Sequence, residues 1–274
     1  MREVLLHAHI FKNAGTTLDW SLARSFGDAF VDHRNDTQMR LRPAAVLAEA
    51  LADERTASLS SHALPCPAPA LEGVSFTTLL MLRHPLRRAR SVFAFERRQR
   101  ADTPGARAAK AMDFKQYLRW RMRDEVAPTI RNFQTRYLSG QLRRPPQYTE
   151  TADDFAAALA FLRTLPAVGV VERYLESMVA FEASYGDRFP QLDLTYEPQN
   201  MSRPSLAEES LDWIDDLGDL RDELIDRNSY DLALYRAAND LLDQVLGRLD
   251  SAERATVAFR DRQASVRQRL CAGG

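Results

Sequence analysis

Short aliphatic runs alternate with longer amphipathic stretches along the chain. The first run, VLLHAHI (4–10), stops at a turn-like segment and predicts a strand buried on both faces. TTLDWSLARSFG (16–27) follows, with Leu18, Leu22 and Phe26 at four-residue spacing and Gly27 as a closing residue, and predicts a helix. Residues 28–45 are polar and irregular. PAAVLAEALADE (43–54) predicts a short helix, TASLSSH (56–62) a second parallel strand, and ALPCPAPALEG a Pro-rich loop. VSFTTLLMLR (74–83) is the strongest strand pattern. It runs into a helix that Pro85 can open and that spans Leu86 to Arg98.

The segment 101–112 reads as a mobile loop, and 113–123 and 124–139 read as helices. A further helix is predicted over 152–165, a strand over 167–172, a helix over RYLESMVAFEASYG (173–186) and a strand over LDLTYEP (192–198). From about residue 205 the pattern is helical. Strands that alternate with helices place the chain in the α/β class: a P-loop-like parallel sheet flanked by helices, with a helical C-terminal part, in one domain over residues 1–274.

Composition changes this picture little. The chain has 274 residues, 45% of them hydrophobic, enough for a substantial core, and a net charge of −1 that provides no field to hold a nucleic acid. Of 37 basic residues only three are lysines, Lys12, Lys110 and Lys115, so a lysine at a chosen basic position is notable. The two cysteines, Cys66 and Cys271, are too few for a disulfide framework. No secretory leader precedes the first strand and no apolar run approaches a membrane span, so the expectation is a soluble cytoplasmic protein.

The chemistry concentrates where two strands end. In IFKNAGTTL the backbone amides from about Asn13 to Thr17 would face an anion at a helix N-terminus. Lys12 would add a full charge, Gly15 would allow close approach, and Thr16 and Thr17 would supply hydroxyls. The segment is not a Walker A loop, because its lysine precedes its only glycine. An exposed lysine at an ordinary strand–turn–helix junction would have the same spacing. At the end of the strongest strand, Arg83 offers a planar fork suited to phosphate, and Ser91 lies eight residues on, one to two turns into the helix. Arg87 and Arg90 read as a solvated helix face, and Arg88 fits either role.

Together the two stretches resemble the sulfotransferases that use 3′-phosphoadenosine 5′-phosphosulfate. HIFKNAGTTL is similar to their 5′-phosphosulfate loop, H-I-x-K-x-A-G-T-S/T, and LRHPLRRARSVF to their 3′-phosphate motif, L-R-D/N-P-x-x-R-x-x-S. The match is nearer to the branch that contains carbohydrate and heparan-sulfate 2-O-sulfotransferase-like enzymes. NFQTRYLSG (132–140), VGVVERYLESM (168–178) and PQNMSRP (198–204) extend it, the last as a nucleotide-side loop carrying Ser202 and Arg203. His84 stands where the family has Asp or Asn, a change expected to affect packing more than chemistry. The resemblance implies transfer of a sulfuryl group to an acceptor hydroxyl, most readily on a carbohydrate, with 3′,5′-ADP as product and no metal required. It implies Lys12, Asn13, Ala14, Gly15, Thr16, Thr17, Arg83, Ser91, Ser202 and Arg203 as donor-binding residues, with Lys12 also stabilising the leaving group.

A base is then needed for the acceptor hydroxyl. His7 and His9 alternate inside the first strand and read as buried, satisfied residues, and His33 as exposed. His62, after the second strand, would stand at the same sheet edge as Lys12, and the resemblance implies a base there, although SSH replaces the family's G-H-like segment. Glu96 and Asp19 are carboxylate alternatives, and a merely structural His62 is the other. The segments 28–45, 64–72 and 100–112 are expected to shape the pocket of a small-molecule or glycan acceptor, and Arg97, Arg98, Arg100 and Arg107 form either an anion-attracting face or a solvated helix end. A small-molecule kinase and a non-catalytic nucleotide-binding protein of the same fold are the competing readings.

Overall fold

The computed structural model describes residues 1–197 and 211–272. β1 (Arg2–Ala8) is buried from Val4 onward, as its aliphatic run requires. A six-residue loop leads to α1 (Gly15–Phe26), then β2 (Phe30–His33), α2 (Asp36–Leu41), α3 (Pro43–Ala50) and β3 (Ser58–Ser61). β4 (Val74–Leu82) is followed by α4 (Pro85–Arg98), α5 (Pro104–Ala111), α6 (Phe114–Met122), α7 (Phe133–Leu138) and α8 (Ala152–Thr164). β5 (Gly169–Val170), α9 (Tyr174–Tyr185), α10 (Leu220–Asp226), α11 (Ser229–Gly247) and α12 (Ala252–Ala272) complete the chain.

The five strands form one parallel sheet in the order β2-β3-β1-β4-β5. Ala8 of β1 lies opposite Ser61 of β3 and Leu80 of β4, so the loops after these three strands emerge side by side. The chain leaves β1 toward β2 and leaves β4 toward β5. Between such diverging neighbours a crevice opens at the carboxyl edge, where open α/β sheets bind ligands. The main core joins β1, β3 and β4 to α1, α9 and α11 through Leu18, Leu22, Met178, Phe181, Leu234 and Leu242. A second cluster, including Leu86, Val92, Leu118, Met122 and Leu224, seats α4 against α6 and α10. No described helix is long and apolar enough to cross a membrane.

Four expectations are corrected. The polar segment 28–45 contains β2, a four-residue edge strand too short to show a pattern, in which His33 is half-buried rather than exposed. The supposed mobile loop 101–112 holds α5, capped by the Thr103 hydroxyl and opened by Pro104. Its Gly105 marks close packing, since a Cβ there would lie 2.3 Å from both Glu96 and Arg121. The helix expected over 124–139 is only α7, because the left-handed Asn132 (φ 37°) interrupts the chain just before it. Leu192–Glu197 is not a strand. Its backbone bonds to side chains instead: the Arg24 guanidinium and the Ser25 hydroxyl donate to the Asp193 carbonyl, and the Ser21 hydroxyl to that of Thr195.

Candidate functional site

The loop between β1 and α1 has left-handed backbone at two non-glycine residues, Lys12 (φ 67°) and Ala14 (φ 59°). Each such residue costs roughly 1–3 kcal/mol, so its surroundings must impose the shape. Asn13, between them, is buried, and its amide nitrogen donates to the Met81 carbonyl at the end of β4 and to Gln134 Oε1, both at 2.8 Å. Arg88 Nε donates to the Phe11 carbonyl (3.0 Å) and Arg83 Nη1 to the Lys12 carbonyl (3.2 Å). Four hydrogen bonds therefore clamp three successive residues, Phe11, Lys12 and Asn13, before any ligand arrives.

The clamps correct the expected donor set. The Asn13 N–H turns inward to the Ile10 carbonyl (3.1 Å) and the Thr17 N–H bonds the Ala14 carbonyl (3.1 Å). The amides of Ala14, Gly15 and Thr16 donate to no described residue. Ala14 is the N-cap of α1 and no side chain caps the helix, although Ser, Thr, Asp or Asn usually does. Gly15 has a further use that the sequence did not show: a Cβ would lie 2.2 Å from Cδ2 of His9, so the glycine admits the imidazole against the helix start.

Positive charge gathers on this loop. The Lys12 ammonium sits 4.6 Å from the centre of the Phe95 ring. Burial, then the charges of Arg83, Arg98 and Arg88, push it down to about 8. Arg83 is buried at the end of β4. Arg88 is fully buried, donates also to the Thr129 carbonyl (2.7 Å) and stacks on Phe133, so it is a structural bracket rather than a surface cation. Behind Arg83, Glu172 accepts the His84 N–H at 3.2 Å. Burial raises the Glu172 carboxyl above its ordinary value, which weakens it as a counter-charge. The His84 ring packs edge-on against Tyr235. Ser91 is half-buried on α4, four residues before Phe95, and its hydroxyl has no described partner.

Gln134 was not among the predicted site residues, yet it joins both strand-end loops. Its Oε1 accepts from Asn13 and from the Arg83 N–H, and its Nε2 donates to the Arg83 carbonyl at 2.9 Å. Gln134 is held in turn by the buried Asp231 of α11, which accepts the N–H groups of Gln134 (3.0 Å) and Thr135 (2.7 Å) and the Thr135 hydroxyl (2.7 Å). The only sequence signal was the segment NFQTRYLSG, which has no readable code for this role.

On the other side of β1 the histidines converge. His7 Nδ1 and His9 Nδ1 donate to the two carboxylate oxygens of Asp19, at 2.6 and 2.7 Å. Both are buried and satisfied, as expected. Burial alone would raise the Asp19 carboxyl, but the two imidazoles beside it hold it well below the usual carboxylate range, while burial pushes His9 down to about 3. Asp19 is thereby saturated with donors and is not available as a base. Glu96 is likewise occupied, by the Tyr117 hydroxyl and the Arg121 guanidinium in the core. His7, His9 and Asp19 have potential metal-ligating atoms within 4.8 Å of one another. However, the spacings from the imidazoles to Asp19 are hydrogen bonds, and Arg34 brings a guanidinium to the same carboxylate (2.7 Å), an arrangement that repels a cation.

His62 follows β3 directly, and its ring lies 4.0 Å from that of His9. Its Nδ1 is 3.0 Å from the His9 carbonyl, which only accepts, so the proton is on Nδ1 and the lone pair on Nε2. Arg34 Nη1 donates to that Nε2 at 2.8 Å. Burial and then the charge of Arg34 lower the His62 imidazole below its ordinary value. Ser202 and Arg203 lie outside the described residues. A cavity of about 410 Å³ lined by Arg131, Tyr148, Glu150 and Tyr230, among others, contains none of the predicted site residues.

No known protein-family profile matches the chain. A protein of Archaeoglobus fulgidus, described as uncharacterized, is 29% identical over 253 residues, 88% of this chain and 97% of that protein. The similarity runs along nearly the whole of both chains and carries no activity with it.

Proposed function

We propose that the protein is a sulfotransferase that moves the sulfuryl group of 3′-phosphoadenosine 5′-phosphosulfate to an acceptor hydroxyl, on a carbohydrate. The observation that carries the reading is the pre-shaped loop at 12–16. The amides of Ala14, Gly15 and Thr16, which have no acceptor among the described residues, share it with an ammonium beside the cations Arg83, Arg88 and Arg98. A site of that kind is complemented by a multiply charged anion. Two strand-end loops, one around Lys12 and one around Arg83, suit a donor with anionic groups at both its 5′ and 3′ positions.

The donor supplies an electrophilic sulfur and a phosphate leaving group. In this reading the amides of Ala14, Gly15 and Thr16 bind the 5′-phosphate, and Lys12 neutralises charge as it builds on the bridging oxygen. Arg83 and Ser91 hold the 3′-phosphate. His62, neutral with its lone pair on Nε2, accepts the acceptor's proton. The buried free thiol of Cys66 fits a reducing, cytoplasmic setting.

Calorimetry tests the assignment. We expect 3′,5′-ADP to bind without metal and more tightly than ATP–Mg²⁺, and Arg83→Ala to weaken 3′,5′-ADP far more than 5′-AMP. Preference for ATP–Mg²⁺ would point to a kinase, and equal losses on the two nucleotides would remove Arg83 from the 3′-phosphate. Transfer of labelled sulfate from the donor to a mixed oligosaccharide pool tests the acceptor class.

A further inference from the structure

The Arg34 guanidinium is held on three sides. Its Nε pairs with Asp32 at 2.5 Å, its Nη2 with Asp19 at 2.7 Å, and its Nη1 donates to His62 Nε2 at 2.8 Å. The same Nη1 is 3.2 Å from His9 Nδ1, but that nitrogen already donates to Asp19, so the lone pair that receives the Arg34 proton is the one on His62. The atom best placed to take a proton from an acceptor is thus covered. The cover is not built in as the other brackets are: the Arg34 side chain is 39% exposed, whereas those of Arg121 and Arg136 are 4% and 3%. Detaching from His62 leaves the pairs with Asp19 and Asp32 in place.

We propose that Arg34 is a removable cap on His62, drawn off by an acceptor that carries an anionic group beside its reactive hydroxyl. This rests on the sulfotransferase reading of the site. In place of a neutral imidazole, a carboxylate or sulfate offers the guanidinium a full opposite charge and paired oxygens that match its fork. An acceptor with a hydroxyl alone offers Arg34 no comparable exchange. In the step that follows, the hydroxyl proton passes to His62 Nε2, the acceptor oxygen bonds to sulfur, and the bond from sulfur to the bridging oxygen breaks, releasing 3′,5′-ADP. Once protonated, Nε2 is a donor facing a donor, so Arg34 returns only after His62 has lost that proton. Arg34 is a positioning residue in this scheme: it acts through His62 and has left Nε2 before the proton moves.

The charged and titratable groups that face His62 are Arg34 after β2, Asp36 at the start of α2, Asp19 on α1, and His9, whose carbonyl holds Nδ1. Asp19 and Asp36 favour the charged imidazole and Arg34 opposes it, so releasing Arg34 moves the titration upward. Ring-nitrogen NMR of the full-length protein reads this directly. Arg34→Gln is expected to raise the His62 midpoint by about one pH unit, and Arg34→Lys, which keeps the charge and loses the fork, to raise it less. An unchanged midpoint in both variants overturns the cap. With 3′,5′-ADP present, glucuronate is expected to shift the His62 Nε2 resonance of the wild type while glucose leaves it in place. An equal response to the two sugars overturns the anionic-acceptor part. The titration of the free protein stands whether or not nucleotide binds, so failure of the cap and failure of the sulfotransferase reading give different results.

Discussion

Lys12 makes the proposed anion site testable through protons. Its ordinary value of 10.5 falls to about 8 because the ammonium is buried beside Arg83, Arg98 and Arg88. At 1.36 kcal/mol per pH unit this is about 3 kcal/mol against the charged form. A bound polyanion supplies the missing counter-charge and restores the ammonium. At pH 9 the free site is only about one-tenth protonated, so binding should take up about 0.9 proton, and at pH 7 about 0.1. Affinity should correspondingly fall about tenfold between pH 7 and pH 9. Phosphate groups, with a second ionisation near pH 6, do not titrate in this window. The assay is calorimetry with 3′,5′-ADP at pH 9 in buffers of different ionisation enthalpy, where the slope counts protons. Lys12→Arg, charged throughout, should abolish the uptake and flatten the pH dependence. An uptake near zero in the wild type, or one that persists in Lys12→Arg, would show that Lys12 does not meet the anion.

The remaining predictions concern what holds the site together. Gly15→Ala should destabilise the fold by about 1–3 kcal/mol in urea unfolding, because a Cβ 2.2 Å from a ring pinned to Asp19 overpacks the junction. Combining it with His9→Ala should recover part of that loss, and strict additivity would contradict the clash. Asp231→Ala strands three buried donors of Gln134 and Thr135 and should cost at least about 2–3 kcal/mol. It should also weaken 3′,5′-ADP, and a variant with normal nucleotide affinity would detach Gln134 from the loop. His62→Ala should abolish transfer and spare 3′,5′-ADP binding. In the wild type, catalysis should fall with acid as His62 protonates, and below neutrality, since its imidazole is shifted down.

The elements that carry the strand-end loops were legible because their signals are local. An aliphatic run, a proline at a helix start and a four-residue apolar spacing read off β1, β4, α1 and α4 without tertiary information. The positions of Lys12, Arg83 and His62 at one sheet edge follow from the parallel order of β3, β1 and β4. What was illegible depends on contacts between distant residues. The inward turn of the Asn13 amide, the burial of Arg88 and the use of Gly15 to admit His9 all require partners brought in by the fold. Arg34 sat in a segment read as polar and expected to shape the acceptor pocket, and its meeting with His62, 28 residues on, is set by the pairing of β2 with β3. Leu192–Glu197 has the composition of a strand but bonds to α1 side chains, and composition cannot tell the two apart.

The loop at 12–14 has a consequence for the order in which the protein becomes competent. Its shape is fixed by partners at residues 81, 83, 88 and 134, and residue 134 is fixed by residue 231. A chain emerging from the ribosome therefore carries Lys12 long before it carries the partners that shape the loop around it. On the proposed reading, the nascent protein cannot hold its donor until most of its length has been synthesised.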